Sequence, residues 1–296
     1  MVTPRKLDVQ IAFFPYGGNG GTAAEVPQTK HWLVETVTKA KLDCRVGSIG
    51  AADYIDTPIT MTRNRAVQEA RKAGFDLLVM VDSDNYPDLY VGRESDAVPF
   101  WDTAFDAIYD HYDRGPLIVA APYGGPPPNE EPYVFRWADG ETGGADEHDM
   151  KLAMFSRAEA AQAIGLHPVA ALATGLIMLD LRVFDYLTPP YFYYEWTDRF
   201  EQGKASTEDV TFTRDASFAV WAALGYNPLR CAFSSWAGHW KPKCVGKPNL
   251  LTVESVGERL RTAMQRGISR HDHLSHVDFT KPHVNGNNRI VSPSLK

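Results

Sequence analysis

One stretch constrains this chain more than any other. Residues 77–81, Leu-Leu-Val-Met-Val, are unbroken apolar sequence, and they stop on two carboxylates, Asp82-Ser-Asp84. A run without polar alternation is covered on both faces, as in a central strand flanked by helices on either side. The surroundings agree: short apolar runs alternate with amphipathic stretches, the rhythm of an α/β fold. Residues 9–14 predict a first strand, broken by Pro15 and the glycine-rich residues 16–21. A helix is predicted over 26–40, with Leu33, Val37 and Ala40 on one face. A strand over 44–49 and a helix over 58–73, stopped by Gly74, follow. Further on come a helix at 101–112, a strand at 117–121 and a long Pro/Gly-rich loop at 124–144. A strand at 172–179 and a helix at 208–224 with Gly225 as its stop complete the pattern. Strand rhythm fades near Val245, so the expected division is a domain over 1–245 and a basic, partly irregular extension over 246–296.

Charge narrows the function classes. The chain has 30 Lys+Arg against 37 Asp+Glu, a net −7. Residues 251–296 carry seven basic and four acidic residues, +3, which leaves −7 − 3 = −10 on the first 250. Such an acidic body does not grip duplex DNA over its whole face. The basic tail is either a solvated end segment or a contact for an anion. The longest apolar stretch, residues 169–179, is too short for a bilayer, and residues 1–10 hold no apolar leader core, so no membrane span and no secretory leader are expected. Cys44, Cys231 and Cys244 give neither a disulfide framework nor zinc spacing, and a cytoplasmic setting is expected.

The chemistry concentrates at the end of the apolar run. In open α/β sheets ligands sit outside the carboxyl ends of the strands. Side chains two apart on an extended strand share a face, so Asp82 and Asp84 can point into one crevice. Two adjacent carboxylates repel, and a divalent cation relieves that repulsion while bridging to a diphosphate. The alternative is that acids merely punctuate a strand end and cap a turn.

Several segments together resemble the GT-A-fold glycosyltransferases, the family-2-like and phage or bacterial ones among them. Thr62-Arg-Asn-Arg-Ala66 on a helix, then the apolar strand and Asp82-Ser-Asp84, is similar to that superfamily's Arg-Asn helix, strand and DxD motif. Ala173-Thr-Gly-Leu-Ile-Met-Leu179 resembles its small-residue strand under the sugar. Ser206-Thr-Glu-Asp-Val210 resembles its acidic motif, and Trp236-Ala-Gly-His-Trp240 its C-terminal histidine segment. The resemblance spans about residues 8–243. It implies a GT-A fold, a mixed and mostly parallel sheet flanked by helices, and a metal-dependent transfer of sugar from a nucleotide-diphosphate sugar, UDP-linked above all, to an acceptor hydroxyl.

Carried over residue by residue, the resemblance implies that Asp84 binds the metal directly. Asp82 reaches metal or ribose, with Ser83 between them at the nucleotide, and His239 is a nitrogen ligand. A carboxylate–imidazole set suits Mn2+, with Mg2+ as the alternative; His239 could instead be a half-buried packing residue between Trp236 and Trp240. Pro15, Tyr16 and Gly17 would lie under the nucleotide, with Tyr16 stacked on the base and Gly17 allowing close backbone approach, unless this is a plain connector. Asp53, with Asp56 as a rival, would meet the base or ribose. Arg63 would pair with the diphosphate, Thr174 and Gly175 would floor the sugar pocket, and Lys243 would neutralise the leaving diphosphate, with Lys241 and Lys247 as rivals. Asp209 would be the general base and Glu208 its helper, at a helix N-terminus that favours anions. Such a base favours inversion over retention, while retaining members of the superfamily use the same metal site. Ser206 through Asp209 also fits a capping box, which would explain Asp209 without catalysis.

Residues 191–196 hold five aromatics, suited either to an acceptor cleft or to core packing. The loop at 124–144 is a candidate lid, and His271, Asp272, His273 and His276 are a cluster far from the motifs. The acceptor is open among DNA with modified bases, a glycan, a protein and a small molecule. Two rivals stand beside the transferase: a sugar nucleotidyltransferase, for which residues 17–21 lack the basic cluster expected beside their glycines, and a non-catalytic carbohydrate- or nucleic-acid-binding module, which leaves Asp82, Asp84 and His239 idle.

Overall fold

The computed structural model describes residues 5–15, 27–55, 58–125, 131–138, 152–196, 204–240 and the pairs 283–284 and 290–291. The chain divides into two units, residues 1–242 and 243–296. In the second, β15 (His283–Val284) pairs antiparallel with β16 (Ile290–Val291).

The first unit is α/β. Its elements in order are β1 (Leu7–Phe14), α1 (Pro27–Leu42), β2 (Val46–Asp53), α2 (Ile59–Ala73), β3 (Leu77–Asp82), β4 (Asn85–Tyr86), α3 (Phe100–His111), β5 (Ile118–Ala120), β6 (Val134–Trp137), β7 (Leu152–Met154), α4 (Arg157–Gln162), β8 (Leu166–Pro168), β9 (Ala171–Leu172), β10 (Leu176–Asp180), β11 (Glu195–Trp196), β12 (Lys204–Ser206), α5 (Glu208–Leu224), β13 (Leu229–Ala232) and β14 (Gly238–His239). Seven strands form one sheet in the order β2-β1-β3-β10-β5-β13-β8. β2, β1, β3, β5 and β13 run one way, and β10 and β8 run against them. The fold class expected from the sequence, a mixed and mostly parallel sheet flanked by helices, is the one observed.

The unbroken apolar run does what its composition dictates. Leu78 and Met80 of β3 face one core, with Ala66, Val67 and Ala70 of α2 and Phe212, Ala216 and Val220 of α5. Leu77, Val79 and Val81 face the other, with Trp32 and Ala40 of α1 and Phe100, Ala104 and Ile108 of α3. Each face of the strand has its own helical layer, so neither face carries polar residues. α2 and α5 end where the sequence predicts: Gly74 and Gly225 adopt φ of 80° and 77°, the left-handed conformation that costs glycine nothing.

Some boundaries differ. The buried stripe of α1 is Thr29, Trp32, Thr36 and Ala40, with Leu33 and Val37 at its margin, because Trp32 is the larger apolar body and turns the helix toward itself. The run predicted as one strand over 172–179 is two, β9 and β10, because the chain changes partner at Thr174-Gly175: β9 pairs with β6 in a three-stranded sheet, and β10 enters the main sheet. The Pro/Gly-rich stretch contains β6, which lies within the loop predicted over 124–144; residues 126–130 and 139–144 of that stretch lie outside the described residues.

Candidate active site at the carboxyl edge of the sheet

The parallel strands β2, β1 and β3 end side by side: Asp53 is level with Phe13, and Phe14 with Asp82. Asp53 is exposed, Pro15 is half-buried just past β1, and Ser83 is fully buried with its N–H on the Phe14 carbonyl. Because β10 runs backwards, its first residues lie at this same edge, and the Asp82 N–H donates to the Gly175 carbonyl at 2.8 Å. β5 and β13 also finish here, and the chain then delivers Tyr123 and residues 236–240.

β14 pairs antiparallel with β4, setting His239 opposite Asn85, while the Trp240 N–H donates to the Asp84 carbonyl at 2.7 Å. This ribbon brings His239 Nε2 within 3.5 Å of Asp84 Oδ2. His239 Nδ1 lies 2.9 Å from the Gly124 carbonyl, which only accepts, so Nδ1 carries the proton. Nε2 thus faces the Asp84 carboxylate, as an ion-pair donor when the ring is protonated and as a lone pair that can share a cation with the carboxylate when it is neutral. A metal-bound histidine commonly donates its other N–H to a carbonyl in just this way.

Asp82 is turned elsewhere. Both its oxygens lie 2.9 Å from Arg63 Nη2, and Arg63 Nη1 donates to Glu208 Oε1 at 3.1 Å. Arg63 is only 3% exposed, sandwiched near the rings of Phe14 and Phe192. Burial works against its charge, but Asp82, Glu208 and Asp209 outweigh burial and raise its pKa. Burial raises the Asp82 pKa, Arg63 opposes, and Asp84 and Asp209 push it further up. One guanidinium nitrogen, Arg63 Nη2, engages both oxygens of Asp82, so of the expected trio Asp82, Asp84 and His239 it is the last two that stand side by side. Among the described residues no three His, Cys, Asp or Glu side chains surround one point. The pair that does gather fits a divalent ion held by one carboxylate and one imidazole, with diphosphate oxygens and water as its other ligands, a usual arrangement at nucleotide sites. Negative charge dominates the edge: Asp82, Glu208 and Asp209 act on one guanidinium, and Asp84 acts on Asp82.

The acidic pair begins α5. The N-cap is Thr207, without a side-chain cap hydrogen bond. Ser206 therefore does not cap this helix, because it lies one residue too early and its hydroxyl turns to the Thr207 carbonyl. A true capping box exists instead at Ser156 and Glu159 of α4. Asp209 Oδ1 accepts from the Thr207 hydroxyl and from the Val210 N–H. Glu208 is the buried member, on Arg63, and it also raises the pKa of Tyr194, after burial.

Thr174 is fully buried with its hydroxyl unpaired, as are both polar atoms of the Asn85 amide and Arg63 Nε. A Cβ on Gly175 would meet Asn85 Nδ2 at 2.3 Å and the Tyr123 hydroxyl at 2.9 Å. The Tyr123 ring packs edge-on to His239, centroids 4.9 Å apart, and its pKa is raised well above the ordinary value by burial, then by Asp209 and Asp82. Sequence reasoning missed Asn85 and Tyr123; each lies three residues past the end of a strand at this edge, β3 and β5 respectively, the one signal that could have found them. Of the aromatic run, Tyr191 and Phe192 are core, against Phe184 and Phe212. Tyr193 hydrogen-bonds Asp215. Tyr16, Gly17, Asp56, Lys243 with its rivals, and the 271–276 cluster lie outside the described residues.

No protein family and no curated protein matches the chain. Among solved structures it is similar to A197 from STIV, at 14% identity and a TM-score of 0.44 over 82% of this chain and 99% of that one. It is similar to GalNAc-T7 solved with UDP, GalNAc and Mn2+, at 11% identity and 0.39, covering 91% of this chain and 54% of that one. A protein described as a glucose-1-phosphate thymidylyltransferase from Bacillus anthracis matches at 9% and 0.38, over 90% of this chain and 99% of the other. Among the described residues no helix is long and apolar enough to cross a membrane.

Proposed function

We propose that this chain is a divalent-metal-dependent glycosyltransferase, which takes a nucleotide-diphosphate sugar, UDP-linked, and moves its sugar to an acceptor hydroxyl. The observation that carries the reading is the Asp84–His239 pair at the carboxyl edge of the sheet, with the imidazole Nε2 facing the carboxylate and Nδ1 held by the Gly124 carbonyl. Mn2+, or Mg2+ in its place, would be held by these two residues and would neutralise charge developing on the leaving diphosphate. Pro15 and Asp53 line the same edge on the nucleotide side, and Thr174 and Gly175 on the sugar side. Asp209, half-buried at the start of α5, takes the acceptor's proton. Its Oδ1 is held by Thr207 and Val210, which fixes the carboxylate. Glu208 is bound to Arg63 and shapes the helix end. A base on this side favours inversion.

The test is a panel of UDP-, GDP- and dTDP-sugars, read by release of nucleoside diphosphate and by melting temperature. UDP with Mn2+ should stabilise the protein more than either alone, by about 2.7 kcal/mol at a hundred times the Kd. Asp84→Asn and His239→Ala should each abolish the Mn2+-dependent part. Equal shifts with and without metal, or formation of nucleoside triphosphate and sugar 1-phosphate from the donor and added pyrophosphate in place of nucleoside diphosphate release, would overturn the reading.

A further inference from the structure

Arg63 sits where three elements meet. It rises from α2, clamps Asp82 at the end of β3 through Nη2, and reaches Glu208 at the start of α5 through Nη1. At 3% exposure it cannot extend into solvent toward a ligand. The next residue repeats the pattern in neutral form: Asn64 Oδ1 accepts from the Tyr191 and Phe192 N–H groups, and its Nδ2 donates to the Phe192 and Thr60 carbonyls. Phe192 in turn packs on Phe212 of α5. One turn of α2 thus grips both the end of the strand that leads into Asp84 and the helix that carries Asp209.

We infer that Arg63 is a positioning residue, which fixes the distance between the Asp84 side of the site and the Asp209 side through the bridge Asp82–Arg63–Glu208, and that it does not bind the diphosphate. This rests on the transferase reading. A guanidinium is suited to the task because its rigid fork meets two carboxylates at fixed angles, which a lysine ammonium does not. Misplacing reacting groups by about 1 Å costs on the order of 10²-fold in rate while leaving ligand contacts in place.

The experiment compares Arg63→Lys and Glu208→Gln with the unaltered protein. It measures the Kd for UDP with Mn2+ by calorimetry, and kcat and KM for the donor. The expected result is a UDP–Mn2+ Kd within about two-fold of the parent and a kcat lowered by roughly 10²-fold in both variants. Glu208→Gln attacks the bridge from the far end and keeps its volume, so it covers the case in which Arg63→Lys does not fold. A Kd weakened about ten-fold or more with kcat kept, in Arg63→Lys alone, would make Arg63 a diphosphate ligand and overturn the inference. Unchanged kcat in a folded variant would also overturn it. If the unaltered protein binds no nucleoside diphosphate with metal, it is the transferase reading that fails.

Discussion

Gly175 shows how narrowly single residues define this site. Any side chain there would enter the space of the Asn85 amide and the Tyr123 hydroxyl. Gly175→Ala is expected to destabilise the protein by about 1–3 kcal/mol, the usual range for overpacking, as measured by urea denaturation. A change under half of the lower figure would mean that Asn85 moves freely. At this scale the sequence was partly legible. The nearness of Asp84 and His239 was expected, because a carboxylate at a strand end is a local signal and the histidine lies in a segment that resembles a known motif. The partner of Arg63 was not readable, because a basic residue ahead of an acidic motif suits a phosphate and a carboxylate equally. Only the third dimension shows which one it meets.

Among the elements, α2 and α4 illustrate how helices are fixed by side chains. Asn64→Ala would leave the N–H groups of Tyr191 and Phe192 without their acceptor, a loss of about 1–3 kcal/mol for buried donors. Asn64→Asp keeps the acceptor and should lose less; equal losses in the two variants would contradict this account. In α4, backbone and side-chain hydrogen bonds from Ser156, then Arg136, hold the Glu159 carboxyl down to about 2, from an ordinary 4.5. A depressed acid stabilises the fold fully above its unfolded pKa and loses that contribution as pH falls through the folded one, here between 4.5 and about 2. Protection of the α4 amides, taken relative to their intrinsic exchange rate at each pH, should therefore fall over that window in the parent protein, while Glu159→Gln should show no such pH step. Helix ends were legible because glycine stops are local; β9 and β10 were not separable, since an apolar run hides a change of partner.

At the largest scale, the first unit is a sheet with a core on each side. β1, β3 and β10 lie at its centre and are buried almost throughout, whereas β2 at one edge is largely exposed and β8 at the other fully so. Hydrogen exchange should find the central three most protected, with rates set by global unfolding, and β8 among the first to open. Protection of β8 equal to that of β3 would contradict the layering. The layered class was legible because two-sided burial writes itself as unbroken apolar sequence; the reversal of β10 was not, because an antiparallel central strand has the same composition as a parallel one.

That same two-sided burial has a consequence for folding fidelity. A strand apolar on both faces packs acceptably when slid one residue along its neighbours, since the swapped side chains are greasy either way. Hydrophobicity therefore cannot tell β10 where to stop. Its polar ends must: Gly175 lies close against Asn85 and Tyr123, and at the other end Asp180 holds Arg182, whose Nη2 donates to the Tyr112 carbonyl. The residues at the chemical edge thus serve also as the alignment marks of the sheet, so damage there threatens the correct seating of its middle strand as well as its chemistry.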